Sequence, residues 1–94
     1  MESFLVCYDI SDPKRLRKVA SACEDYGYRR QLSVFLCRVS ATDFVRLRNR
    51  LYDLIKLDED QVLLIPMCPK CVGAIEALGR PTEPAEGRDV VLVI

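Results

Sequence analysis

The sequence predicts an α+β fold, and three observations predict it. Phe4 to Tyr8 is an unbroken apolar run rich in β-formers. Two later segments, around Leu16 to Cys23 and Phe44 to Leu54, carry apolar residues at helical spacing. A second near-continuous apolar run, Val62-Leu63-Leu64-Ile65, follows the second of these. With right-handed crossovers this order gives a ferredoxin-like βαββαβ sandwich, its helices on one face of an antiparallel sheet.

The opening strand is predicted to be central and covered on both faces. It ends in Asp9, the first charge after the run; an unpaired carboxylate is expensive to bury, so Asp9 belongs at the strand's carboxyl end near solvent. Asp12 and Pro13 then start a helix, one as N-cap acceptor and the other as its first residue. That helix runs from about Pro13 to Asp25, with Leu16, Val19, Ala20 and Cys23 as its buried stripe and Gly27 as the residue that ends it. Tyr28 to Val39 is strand-like in composition. It is read as two short strands joined near Leu32-Ser33, in preference to one long bent strand. Ser40 caps a second helix, Asp43 completing a weaker capping box and Phe44, Leu47, Leu51 and Leu54 facing inward. An acidic turn at Leu57 to Asp60 leads to a buried strand from Gln61 to Met67, with Pro66 at its exit. Cys68 to Leu78 is a short turn or helix.

Residues 1–78 therefore make the core domain. Residues 79–87 hold two prolines and two glutamates and read as a linker, and Asp89 to Ile94 as an extra C-terminal strand. Such a strand cannot stay a free apolar edge without aggregating. It is expected to pair across a homodimer, which also relieves the unfavourable surface-to-volume ratio of a 94-residue chain.

No run approaches the roughly 18 apolar residues a membrane span needs, and no basic segment leads into a signal core. No membrane partner is expected. Five scattered cysteines read as reduced thiols, hence a cytoplasmic protein. Net charge is zero but unevenly spread: ten basic residues against three acidic between Lys14 and Arg50, then four against eight from Leu51 onward. A polyanion on one face and a basic protein partner on another would fit that split, as would a plain solvated surface. Lys14, Arg15, Arg17 and Lys18 crowd the first turns of the first helix, where cations oppose the macrodipole, so helix stability does not explain them.

Tyr8-Asp9-Ile10, the basic helix start Pro13 to Lys18, and Gly27-Tyr28-Arg29-Arg30-Gln31-Leu32-Ser33-Val34-Phe35 occur in register over roughly the first 70 residues. Together they resemble the small CRISPR-associated adaptation proteins, second-numbered among the Cas proteins and known as metal-dependent endoribonucleases or DNA-handling dimers. The resemblance implies a ferredoxin-like homodimer closed partly by C-terminal strands, acting with the Cas integrase to capture foreign DNA as spacers. It makes Asp9 the metal ligand for Mg2+ or Mn2+, and Asp9 and Tyr8 the candidate catalytic residues. It matches Arg15, Arg17 and Arg29 to basic positions that contact nucleic acid, to which the same basic stretch adds Lys18 and Arg30. Phe35 matches the aromatic that ends the Ser-Val-Phe run, a structural or interface position. Nothing functional carries over to Cys68 and Cys71.

The chemistry agrees with one gap. There is no histidine, so no imidazole serves as general base, and a divalent ion held by carboxylate oxygen and water is the alternative. One Asp per chain is a thin site; a two-fold axis uniting two Asp9 side chains would supply two. Against these roles stand plainer ones. Asp9 serves as a turn acid, Tyr8 and Phe35 as core or interface aromatics, and Cys68-Pro69-Lys70-Cys71 as an inert turn in place of half a zinc site or a redox pair. A metallochaperone reading fails, because its cysteine pair belongs in the loop after the first strand, where Asp9-Ile10-Ser11-Asp12 stands. Two functions survive: a metal-dependent nuclease with paired Asp9 residues, or a non-catalytic adaptor that holds duplex DNA by its backbone.

Overall fold

The computed structural model describes residues 1–80. Within them the chain runs β1 (Glu2–Asp9), α1 (Pro13–Glu24), β2 (Gly27–Gln31), β3 (Val34–Val39), α2 (Ala41–Leu54), β4 (Gln61–Met67) and α3 (Pro69–Gly73). The sheet is antiparallel throughout in the order β2-β3-β1-β4. This is the ferredoxin-like βαββαβ arrangement, with α3 a short addition. The stretch after α1 does form two strands, broken at Leu32-Ser33, and a register irregularity falls between Arg29 and Gln31. The linker and strand expected over residues 79–94 lie outside the described residues, Gly79 and Arg80 apart. So does the swap assigned to them. No described helix is long and apolar enough to cross a membrane.

Period-two alternation decides what β1 contacts. Phe4, Val6 and Tyr8 point to the helices, opposite Cys37 and Phe35 of β3, and all five are buried. Val19, Ala22 and Cys23 of α1 and Leu47 and Leu51 of α2 close over them. The Phe44 ring meets Phe4 edge-on at 4.6 Å, fixing α2 against β1. Leu16, expected in this stripe, is 37% exposed, and the stripe starts one turn later at Val19. Both caps are as predicted: Asp12 accepts from the Arg15 N–H at 2.9 Å, Ser40 from the Asp43 N–H at 3.1 Å.

The other face of the sheet differs from expectation. Leu5 and Cys7 point away from the helices, with Ile65 and Leu63 of β4 as their register partners. No described element covers them, and Leu63 and Ile65 are 48% and 40% exposed. Among the described residues, the strand expected to be buried on both faces is packed on one. β4, expected to be a buried strand, is an edge strand whose outer backbone has no partner among the described residues.

Gly27 does not terminate α1, which ends at Glu24 and is capped by Asp25 in a helical conformation. It opens β2 where the chain passes closest to β3. A Cβ there would strike the Leu36 carbonyl oxygen and lie 2.6 Å from Cys37 Sγ and 2.8 Å from Cys37 Cα. Two of these three are backbone atoms of a central strand and do not yield easily. Gly27→Ala is expected to cost about 1–3 kcal/mol and lower the thermal midpoint by roughly 5–15 °C, as a melting curve would show.

Candidate functional site

β1 delivers Asp9 as its last residue, paired with Gln61 of β4. By strand parity its side chain shares the uncovered face with Leu5 and Cys7. It is exposed, and no hydrogen bond or ion pair engages its carboxylate among the described residues. The plainer role considered for it, turn acid of α1, is filled by Asp12, whose carboxyl is held below its ordinary pKa first by the Arg15 N–H. Asp9 is thus a free carboxylate at a strand end.

Asp60, immediately before β4, is the opposite case. Its side chain is fully shielded from solvent and accepts five hydrogen bonds. Oδ1 takes Ser11 N–H at 3.0 Å, Ser11 Oγ at 3.2 Å and Arg15 Nη2 at 3.2 Å. Oδ2 takes Arg15 Nε at 2.8 Å and Lys56 N–H at 2.9 Å. The Arg15 guanidinium, above all, holds this carboxyl far below the usual range, outweighing the desolvation that opposes it. Glu59, lowered chiefly by Lys56, adds a 3.1 Å ion pair to Arg15. The network ties the loop after Asp9 to the turn before β4 and so fixes the end of β1. Its sequence signal is faint: an acid flanking a strand, inside an acidic turn.

This changes the standing of the predicted cations. Arg15 is committed to Asp60, Glu59 and Ser11, so the structure makes it a structural residue and not a free phosphate ligand. Arg29 is partly committed too: it lies over the Phe35 ring at 5.0 Å, donates to Leu32 O at 3.3 Å and sits 3.7 Å from Glu24. Arg17 and Lys18 are exposed, Arg30 is half-buried, and no described residue pairs with any of the three. On α2, Arg48 is similarly open, whereas Arg46 meets Asp43 at 3.5 Å and Arg50 meets Asp25 at 2.7 Å.

Tyr8 and Phe35 lie on the helix side of the sheet, away from Asp9. Tyr8 is 6% exposed and Phe35 fully buried; their rings stack at 6.2 Å. The Tyr8 hydroxyl donates to Leu32 O at 3.2 Å, and burial raises its pKa. Tyr8 and Arg29 thereby grip the same carbonyl and hold the β2–β3 turn. Phe35, matched to a structural or interface position, is structural here: a fully buried ring is not available to a partner.

Oxygen donors of the Asp9 type suit a hard divalent ion. Among the described residues, however, no three His, Cys, Asp or Glu side chains gather to hold one. Asp60, which adjoins the register partner of Asp9, has its oxygens occupied. Among the described residues, Asp9 therefore stands without two further protein ligands gathered beside it.

Residues 1–75 match the family model described as CRISPR associated protein Cas2. A Rhodospirillum rubrum protein named CRISPR-associated endoribonuclease Cas2 1 is 35% identical over 92 residues, covering 96% of this chain and 90% of the relative. A Chloroflexus aurantiacus protein of the same name is 34% identical over 91 residues, covering 96% and 98%. The crystal structure of Streptococcus pyogenes Cas2 at pH 6.5 superposes with a TM-score of 0.76 at 38% identity, covering 82% of this chain and 99% of that one.

Proposed function

Since the chain belongs to the Cas2 family of CRISPR-associated proteins, we propose that it acts in CRISPR adaptation as a homodimer. In this reading the dimer holds nucleic acid by its backbone, joins the Cas integrase, and hydrolyses phosphodiesters at paired Asp9 residues. The observation that carries the reading is Asp9 itself, an exposed carboxylate with no partner among the described residues, on the sheet face that no described element covers. Leu5, Cys7, Leu63 and Ile65 give that face its apolar character, and burying it against a second copy is the physical reason to dimerise. A two-fold axis through it brings both Asp9 carboxylates to one rim.

When bound there, Mg2+ or Mn2+ supplies an activated water and neutralises charge on the phosphoryl oxygens. The chain's own residues do the rest. Asp9 provides the oxygen ligand, and its mate across the axis the second. Arg17, Lys18 and Arg30, which pair with no described residue, take the phosphates that position the strand. Asp60 and Arg15 hold the loop that aims Asp9, and Tyr8 supports the neighbouring turn through Leu32. The acidic part of the chain after Leu51 suits a basic partner such as the integrase.

The lack of a three-ligand cluster among the described residues favours a second reading, in which the dimer is a non-catalytic adaptor that holds duplex DNA. One experiment separates the two. The protein is sedimented, then incubated with labelled duplex DNA and single-stranded RNA in Mg2+, Mn2+ or EDTA, with binding recorded across a salt series. A dimer that cuts only with metal supports the nuclease; a dimer that binds without cutting supports the adaptor; a monomer overturns paired Asp9 residues. Affinity should fall steeply with salt, and replacing Arg17, Lys18 and Arg30 by alanine should flatten the log–log slope by about three for each subunit that engages the nucleic acid. An affinity indifferent to salt overturns backbone binding.

A further inference from the structure

Cys68 and Cys71 take no part in the function proposed above. They stand where the chain leaves β4 and enters α3, both exposed, with their sulfurs 3.3 Å apart. Cys68 is the N-cap of α3 (Pro69–Gly73), and its side chain folds back over the first turn toward Cys71. A disulfide needs about 2.05 Å between sulfurs, a short closure for two surface side chains free to rotate.

We propose that Cys68 and Cys71 form a reversible dithiol–disulfide couple that exchanges with low-molecular-weight disulfides. The two sulfurs are not equivalent. The Cys71 N–H donates to Cys68 Sγ at 3.4 Å, which favours negative charge on Cys68. That hydrogen bond, with the Cys71 thiol, lowers the Cys68 pKa, and Cys68 in turn raises that of Cys71. Cys68 is therefore the attacking sulfur and Cys71 the resolving one. The other thiols are poorly placed to compete: Cys23 and Cys37 are fully buried, and burial pushes them up to about 12 and about 11. Cys7 is half-buried in mid-strand. Zinc is a poorer occupant, because a structural site takes four ligands and no third lies nearby among the described residues.

The exchange balances. Cys68 thiolate attacks one sulfur of the external disulfide, forming a mixed disulfide and expelling one thiolate. Cys71 gives up its proton and attacks the Cys68 sulfur, closing the ring and expelling the second. Two electrons pass from the protein to the external disulfide, which leaves as two thiols carrying the two protons. The closed ring spans Pro69 and Lys70 and stiffens the corner at the end of β4.

Equilibration of the full chain with reduced and oxidised glutathione at graded ratios, acid quench, alkylation and trypsin digestion tests this. Trypsin cuts after Lys70, between the two cysteines, so the disulfide appears as two joined peptides. The expected result is joined peptides at oxidising ratios and two alkylated peptides at reducing ones. Cys71→Ser should trap glutathione on Cys68, whereas Cys68→Ser should trap on the order of ten-fold less on Cys71 in the same time. Alkylation of both residues at every ratio would overturn the proposal. So would linkage between two chains instead of within one, or equal trapping by both variants.

Discussion

Asp9→Asn is expected to bind duplex DNA and single-stranded RNA as tightly as the wild type, and to cleave them at least about 100-fold more slowly in Mg2+ or Mn2+. The substitution keeps the side chain's size and removes one charge per subunit. Because Asp9 is exposed and makes no described hydrogen bond or ion pair, the fold should not register the change: surface substitutions of this kind shift stability by less than about 0.5 kcal/mol. Removing a negative charge near a polyanion leaves binding equal or slightly stronger. Cleavage, by contrast, depends on the carboxylate as ligand, and a carboxamide oxygen is a weak substitute for it. Rate and affinity measured in the same samples decide the matter. If wild type and variant cut alike, Asp9 is not the catalytic acid; if neither cuts, the adaptor reading stands.

The fold was legible because its signals were local. The Asp12–Pro13 start, the Ser40 cap and the inward spacing of Phe44, Leu47 and Leu51 each follow from one helix's own periodicity. The free state of Asp9 was legible too: an acid after an apolar run has nowhere to go but the strand end. Less visible was anything depending on two distant segments. Gly27 looks like a helix terminator from its neighbours, and only the approach of β3 shows that it makes room for Cys37. Val62 to Ile65 reads as a buried run, yet its place at the sheet edge comes from strand order, to which composition is blind. Arg15 looked like a phosphate ligand because it stands among Lys14, Arg17 and Lys18, and its partners lie 44 and 45 residues away.

Arg15 and Arg17 illustrate how a charge cluster divides once folded. Both are in the first turns of α1, and both match basic positions of the resembled family. Helical geometry turns Arg15 toward the α2–β4 turn and Arg17 to solvent. A guanidinium already meeting two carboxylates would have to break those contacts to grip a phosphate, whereas Arg17 breaks none. The salt-series slope should therefore respond to Arg17 and scarcely to Arg15.

Asp60→Ala is expected to cause a large loss of stability, lowering the thermal midpoint by about 10 °C or more. It leaves the Arg15 guanidinium with only Glu59 as a charged partner and the Ser11 and Lys56 N–H groups without their acceptor in a part-buried site. A paired Arg15→Met, Asp60→Ala variant should lose less than the sum of the two single changes, since one removal makes the other partner's charge superfluous. The acid limb of the stability curve gives an independent check. The native Asp60 carboxyl stays charged at a pH where its unfolded counterpart is protonated, so acidification makes the unfolded chain bind more protons and favours it. The contribution of Asp60 is complete above the ordinary carboxylate range near 4 and disappears as the pH falls below it toward the depressed native value. Asp12 and Glu59, also lowered, act in the same direction. The gap between wild type and Asp60→Ala should thus be widest near neutrality and narrow steadily below about pH 4. A gap that stayed constant to pH 2 would mean that Asp60 stabilises through shape and not through its charge.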